Sequence, residues 1–424
     1  MHSYRRDLGL LRDRRFALLL SARTISVLGS AFAPVALAFG VLGLPGANAT
    51  TLSVVLTAQA LPMVVFMLVG GVIADRFPRS RVMMVGELVN ALAFFALAVM
   101  LLTGWTPLPA LVTAAAIGGV AMAVLFPALT GIIPDVVPAE QLQAGNALLG
   151  LGANSSRVAG AVLSGITVVL FGGGWALAVS GAMFAVAALL IAALRMAPSE
   201  RPAGAERHSV LADLREGWHE FRSRQWIWVV VLQFSVMVMA IQAGHGVLGP
   251  LLAKESLGGA PAWSAFLAGE AVGTMAGVLF SLRLRPSRPI LVATLLCLPI
   301  AVPYFMLGFS TPLWVIVGGA FVLGVCFDVF GVLWYTTMQR EVPAESLSRV
   351  SSYDALGSLM FGPVGLMLAG PAAALVGTRN ALIACGVIVL LSTLAALLSP
   401  GVRNLRAPGP AAAAQPAAPQ PASG

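Results

Sequence analysis

The chain has 424 residues, 58% of them hydrophobic and only 10% charged, with a mean hydropathy of +0.92. A water-soluble domain carries roughly 25% charged residues, so this chain cannot clothe a surface in water, and its solvent is the lipid bilayer. The net charge of +8 comes from 24 arginines and one lysine, Lys254. These lie mostly in short loops between apolar runs rather than along one face, which argues against nucleic acid as a partner.

Met1 to Arg15 is polar and arginine-rich. The apolar run that follows is too long for a signal-peptide core and lacks a cleavage site, so it reads as an uncleaved first span. A helix needs about 20 apolar residues to cross the hydrocarbon. That ruler predicts spans at 16–43, 51–74, 82–104, 108–133, 145–171 and 174–196, then 226–252, 261–282, 289–309, 312–337, 351–376 and 380–399. Helices are expected because lipid offers backbone groups no other partner, and the period-2 pattern of a barrel is absent.

With the N-terminus placed in the cytoplasm, 21 of the 25 basic residues fall in inside segments, and only Lys254 and Arg379 fall outside. The positive-inside rule therefore puts both ends of this multi-pass membrane protein in the cytoplasm. The predicted organisation is a six-helix bundle over 1–198, a cytoplasmic linker with an amphipathic helix over 199–225, a second bundle over 226–400 and a disordered cytoplasmic tail over 401–424. In the linker, Val210, Leu211, Leu214, Trp218 and Phe221 share one helical face, which suits the membrane interface. The fold class is all-α integral membrane, a monomer with two pseudo-symmetric halves.

The halves repeat each other. Pro138-Ala139-Glu140-Gln141-Leu142 matches Pro343-Ala344-Glu345-Ser346-Leu347 at a shift of 205 residues, and at that shift Gly160 pairs with Gly365 and Gly165 with Gly370. Duplicated bundles of this kind bind substrate near the midplane between the halves, which rock to alternate access.

Between spans 2 and 3 the chain reads Gly71-Val-Ile-Ala-Asp75-Arg76-Phe-Pro78-Arg79-Ser-Arg81. This resembles the loop 2–3 signature of the major facilitator superfamily. The resemblance implies that Asp75 and Arg76 lock the inner ends of the halves together in the outward-facing state; Gly71, Arg79, Arg81 and Glu87 are grouped with that gate. The superfamily usually has glycine where Pro78 stands. Phe16 to Gly29, Ile133 to Leu148 and Gln339 to Asp354 look like the branch of bacterial drug exporters and enterobactin-type siderophore exporters. A span-5 signature common in drug–proton antiporters keeps its glycines here, but Ala161 replaces the usual proline.

Ionisable residues inside spans are costly and need explaining. Glu270 in span 8, flanked by Gly269 and Gly273, is the first candidate for proton coupling or substrate binding. Asp328 in span 10, Arg23 in span 1, Arg157 in span 5 and His245 in span 7 are the others, each weighed against a structural pairing. Gln59, Asn90, Gln233, Gln242, Tyr304 and Tyr335 could line a cavity, while Trp314 and Trp334 could be cavity aromatics or interfacial anchors. Cys297, Cys326 and Cys385 read as inert packing residues. There is no phosphate-binding loop and no metal-ligand cluster, so neither an ATP-driven pump nor an enzyme is expected, and no metal or cofactor. The energy source implied is the proton gradient. The expected function is export of a small hydrophobic or amphipathic drug or metabolite by proton antiport. The alternatives are siderophore export and a non-transporting membrane sensor or scaffold on the same fold.

Overall fold

Residues 8–138, 141–194 and 218–407 are described by a computed structural model. Twelve of its helices are long and apolar enough to cross a membrane. They are α1 (Arg14–Leu42), α2 (Ala49–Arg76), α3 (Arg79–Thr103), α4 (Leu108–Gly131), α5 (Leu142–Phe171) and α6 (Gly173–Ala192), then α7 (Gln225–Leu257), α8 (Ala260–Ser281), α9 (Pro289–Gly308), α10 (Leu313–Glu341), α11 (Arg349–Val376) and α12 (Thr378–Leu397). The twelve predicted spans are all present.

Local chemistry sets the ends. Asp13 caps α1 by accepting hydrogen bonds from the Arg15 and Phe16 amides at 2.7 and 3.1 Å, and Asn48 with Thr51 forms a capping box on α2. Gly104 stops α3 with φ +73°, a conformation glycine adopts without steric cost. α9 is interrupted by a 3-10 turn at Pro299–Ala301, where proline removes a backbone donor.

α7 runs five residues past its predicted bound at 252. Lys254 and Glu255 lower the hydropathy there, yet the helix continues through two π turns, Ala243–Leu248 and Ala253–Leu257. The Lys254 ammonium donates to the Leu42 carbonyl at the end of α1.

Each half packs in the same pattern. α2 lies on α4 as α8 lies on α10, and α3 on α6 as α9 on α12; α1 meets α5 and α6 as α7 meets α11 and α12. The duplicated glycines explain part of this. A Cβ at Gly160 would meet Ala31 and the Leu28 carbonyl of α1, and a Cβ at Gly365 would overlap the Met239 carbonyl of α7.

The second glycine pair builds the seam between the halves. Gly165 of α5 packs on Ser264 of α8, and the Gly370 amide of α11 donates to the Ser53 hydroxyl of α2 at 2.8 Å. Both serines are the fifth residue of their helix, and both glycines lie six residues before the end of theirs. With the Lys254–Leu42 bond, these contacts join the halves toward the end opposite the chain termini.

Residues 218–223 are helical and precede α7. Trp218 stacks on Phe221 at 5.7 Å, and both rings meet Tyr353 of α11 at 5.5 and 5.9 Å. Val210, Leu211 and Leu214 lie outside the described residues, as does the tail from 408.

Candidate functional site

The π turn in α7 gives the helix an extra residue at His245, and such bulges often mark functional positions. Gly244 beside it leaves room for the ring of Tyr304, which a Cβ would strike. Three helices thereby bring one polar cluster together. His245 Nε2 lies 3.1 Å from Glu270 Oε2 of α8. His245 Nδ1 lies 2.9 Å from the Tyr304 hydroxyl of α9 and 3.1 Å from the Ile241 carbonyl. Phe266 and Trp263 cover the imidazole, with ring centroids 5.4 and 6.0 Å away.

This geometry accommodates two proton arrangements. With Nδ1 protonated, the imidazole donates to the Ile241 carbonyl and presents Nε2 to Glu270. With Nδ1 bare, it accepts from Tyr304 and donates from Nε2 to the carboxylate. A histidine held this way can pass a proton between its two ring nitrogens' partners without changing rotamer. Glu270 is the wet end of the cluster, its side chain 29% exposed against 13% for His245, while Tyr304 is fully buried.

The backbone under Glu270 is clamped. Gly324 of α10 packs so closely that a Cβ would fall on the Glu270 carbonyl and the Thr274 amide, and Gly269 sits against Val317. The carboxylate therefore stands on a helix whose distance from α10 is set by glycine.

Glu270 and His245 open onto a cavity of about 460 Å³ between the halves. From the first half it is walled by Gln59, Met63, Asn90, Phe94, Met122 and Phe184; Gln242, Leu267 and Leu366 complete the wall on the other side. Among the described lining residues there is no arginine or lysine. The wall is aromatic, sulfur-rich and amide-bearing, with one carboxylate, and its volume lies within the 300–1,000 Å³ typical of small-molecule sites.

The sequence model of the Major Facilitator Superfamily matches residues 16–358. The chain belongs to this superfamily. It is 27% identical to the enterobactin exporter EntS of Escherichia coli O1:K1 over 365 residues, covering 80% of this chain and 82% of that one. The EntS of Shigella boydii serotype 18 matches equally at 27%. Among solved structures, the nucleoside transporter NupG superposes with a TM-score of 0.72 at 13% identity over 91% of this chain and 98% of its own. A bacterial homologue of the lysosomal transporter Spinster, in an inward-facing and unoccupied conformation, gives 0.66 at 15% identity over 92% and 98%. At these identities the structures establish the fold alone, while the family match marks the chain as a non-enzymatic transporter.

Within this superfamily member the remaining predicted residues scatter. Asp328 is half-buried on α10 against Gly277 of α8 and does not line the cavity. Arg157 of α5 is exposed, donates to Asn154 Oδ1 at 3.0 Å and acts electrostatically on Asp328 across the seam and on Arg23. Neither arginine lines the cavity. Of the loop 2–3 group, Gly71 lies within α2, Arg76 ends α2 and, like Arg81, is exposed, Arg79 is half-exposed, and the side chain of Asp75 lies outside the described residues. Glu87 does not reach the interface but is wholly buried in the first half. Gln233 pairs with Thr393 rather than lining the cavity, and Trp314 and Tyr335 are exposed.

Two features went unrecognised in the sequence. Tyr304 was one of several polar residues, and only the fold shows it 59 positions from its histidine partner. Asp354 in α11 is 5% exposed and accepts from the Trp334 indole at 3.1 Å and the Ser358 hydroxyl at 3.2 Å. Trp334 is thus a buried donor. Trp334→Phe should remove that bond, leave buried Asp354 Oδ2 without its donor while Oδ1 keeps Ser358, and cost about 1–3 kcal/mol, read as a lower thermal midpoint in detergent with the cavity intact.

Proposed function

We propose that this transporter exports a small hydrophobic or amphipathic molecule, a drug or secondary metabolite, from a bacterial cytoplasm in exchange for protons. The observation that carries this reading is the hydrogen-bonded Glu270–His245 pair in the wall of a mostly apolar cavity between the halves. In this reading both termini are cytoplasmic, the glycine–serine seam lies toward the outer side, and the cavity receives cargo when the halves open to the inside. Glu270 then alternates between the two aqueous sides as the halves rock. It takes a proton outside and gives it up inside, and the cargo travels the other way. The curated relatives support the outward direction by name, since they are exporters.

Everted vesicles carrying the protein test this reading. Cargo addition should release protons from the lumen, and Glu270→Gln should weaken the release. Normal coupled transport in both Glu270→Gln and Asp328→Asn would remove these acids from the mechanism.

Siderophore export is the second reading, favoured by the enterobactin exporters among the relatives. The lack of arginine and lysine among the described lining residues weighs against a polyanionic cargo. Unchanged siderophore secretion after deletion of the gene would eliminate it.

A further inference from the structure

Glu87 sits on α3 with its side chain fully buried, and neither carboxylate oxygen has a hydrogen-bond partner among the described residues. The polar group facing it is the Ser26 hydroxyl of α1, itself buried. Among the described residues no cation balances it. The helices α4 and α6, which pack against α3, carry no charged residue anywhere along their lengths. α2 carries only Asp75 and Arg76, at its end. On α1 the nearby charge is Arg23, three residues before Ser26, and its electrostatic neighbour is Arg157.

An ionised carboxylate cannot be held in such a place, because desolvation far exceeds what a single hydroxyl returns. Taking up a proton is how such a carboxyl avoids that cost. A neutral acid kept only for structure would use both its hydroxyl and its carbonyl to tie helices together, and this one faces only the Ser26 hydroxyl of α1. Its neighbour on the same face, Asn90, lies one turn along α3 and opens on the central cavity, as does Phe94 one turn further. Asn90 is bonded only weakly, through its Nδ2 to the Met122 sulfur at 3.7 Å, and its Oδ1 has no partner among the described residues. Cargo in the cavity would press directly on the helix that holds the buried acid.

We propose that Glu87 is a second proton-binding site, located in the first half and distinct from the Glu270–His245 pair in the second. The inference rests on the antiport reading for its use, but not for its test. The step is a simple exchange. A proton from water bonds to one carboxylate oxygen, and on discharge it leaves for cavity water past Asn90, when α3 and α1 shift so that the oxygens are hydrated. Each half then contributes a candidate proton site, a fully buried one at Glu87 and one at the cavity wall at Glu270.

Infrared spectroscopy of the purified full-length protein in lipid nanodiscs tests this without any cargo. The wild type should show a protonated-carboxyl stretch at neutral pH that moves down in D2O and fades as the pH is raised, while circular dichroism stays constant. Glu87→Gln, which keeps the shape of the neutral acid, should lose that band. Glu270→Gln should keep it. Identical spectra for wild type and Glu87→Gln would overturn the proposal by showing an ionised group. A band that neither shifts in D2O nor titrates would overturn it as well, by showing a sealed structural acid. Neither outcome depends on whether vesicles carrying Glu270→Gln lose coupling, so the two readings fail separately.

Discussion

Glu270→Gln is expected to lower proton-coupled export more than about tenfold and to leave the protein folded. Glutamine keeps the volume and can still hydrogen-bond His245 Nε2, so the packing against Phe266 and the clamp at Gly324 survive. What it loses is the capacity to take up a proton and part of a bond worth, as a whole, about 1.5–3 kcal/mol when one partner is charged; 1.4 kcal/mol is already about a factor of ten. The sign of the pH effect follows. Wild-type export should accelerate when the outside is made more acidic than the inside, and the variant should become indifferent to that gradient. Flux of a fluorescent cargo in vesicles, with and without an imposed pH step, reads both effects. Asp328→Asn should have the smaller effect, because Asp328 stands outside the cavity wall.

Gly324→Ala should be among the most damaging conservative changes in the second half. The new methyl would land on the backbone of Glu270 and Thr274 rather than on a flexible side chain, so α8 and α10 must separate. Overpacking of this kind costs about 1–3 kcal/mol. Because the displaced backbone is that of Glu270, activity should fall with stability. Gly318→Ala, on the same helix, is the control: nothing lies within 4 Å of its Cβ position, and the lower backbone entropy of alanine should make it neutral or slightly stabilising. Thermal unfolding in detergent, paired with the flux assay, separates the two.

The twelve spans were legible because lipid imposes one length and one polarity on anything that crosses it. The reading failed where polarity and helicity part company, as at Lys254 and Glu255, which a hydropathy ruler excludes but a π turn keeps helical. Glu270 was legible for the same reason as the spans, being an acid where acids are expensive. Its partners were not. Periodicity reports which face of a helix a residue occupies but not which helix it meets, and His245 and Tyr304 meet only through a bulge that no residue type announces. Asp354 went unread because it lies five residues into α11, where a carboxylate could be mistaken for an interfacial group. The repeat at 205 residues gave the glycines, and the fold supplied what they touch.

Those glycines have a further consequence. The pairs Gly165–Ser264 and Gly370–Ser53 are one contact made twice, related by the pseudo-two-fold between the halves. A single six-helix chain bearing that glycine and that serine would possess a self-complementary patch and could associate with a copy of itself as an isologous homodimer. In such a dimer every substitution would strike both contacts at once. Fusion into one polypeptide frees each contact to vary alone, and the difference already visible here, a hydrogen bond on one side and plain packing on the other, is the kind of asymmetry that freedom permits.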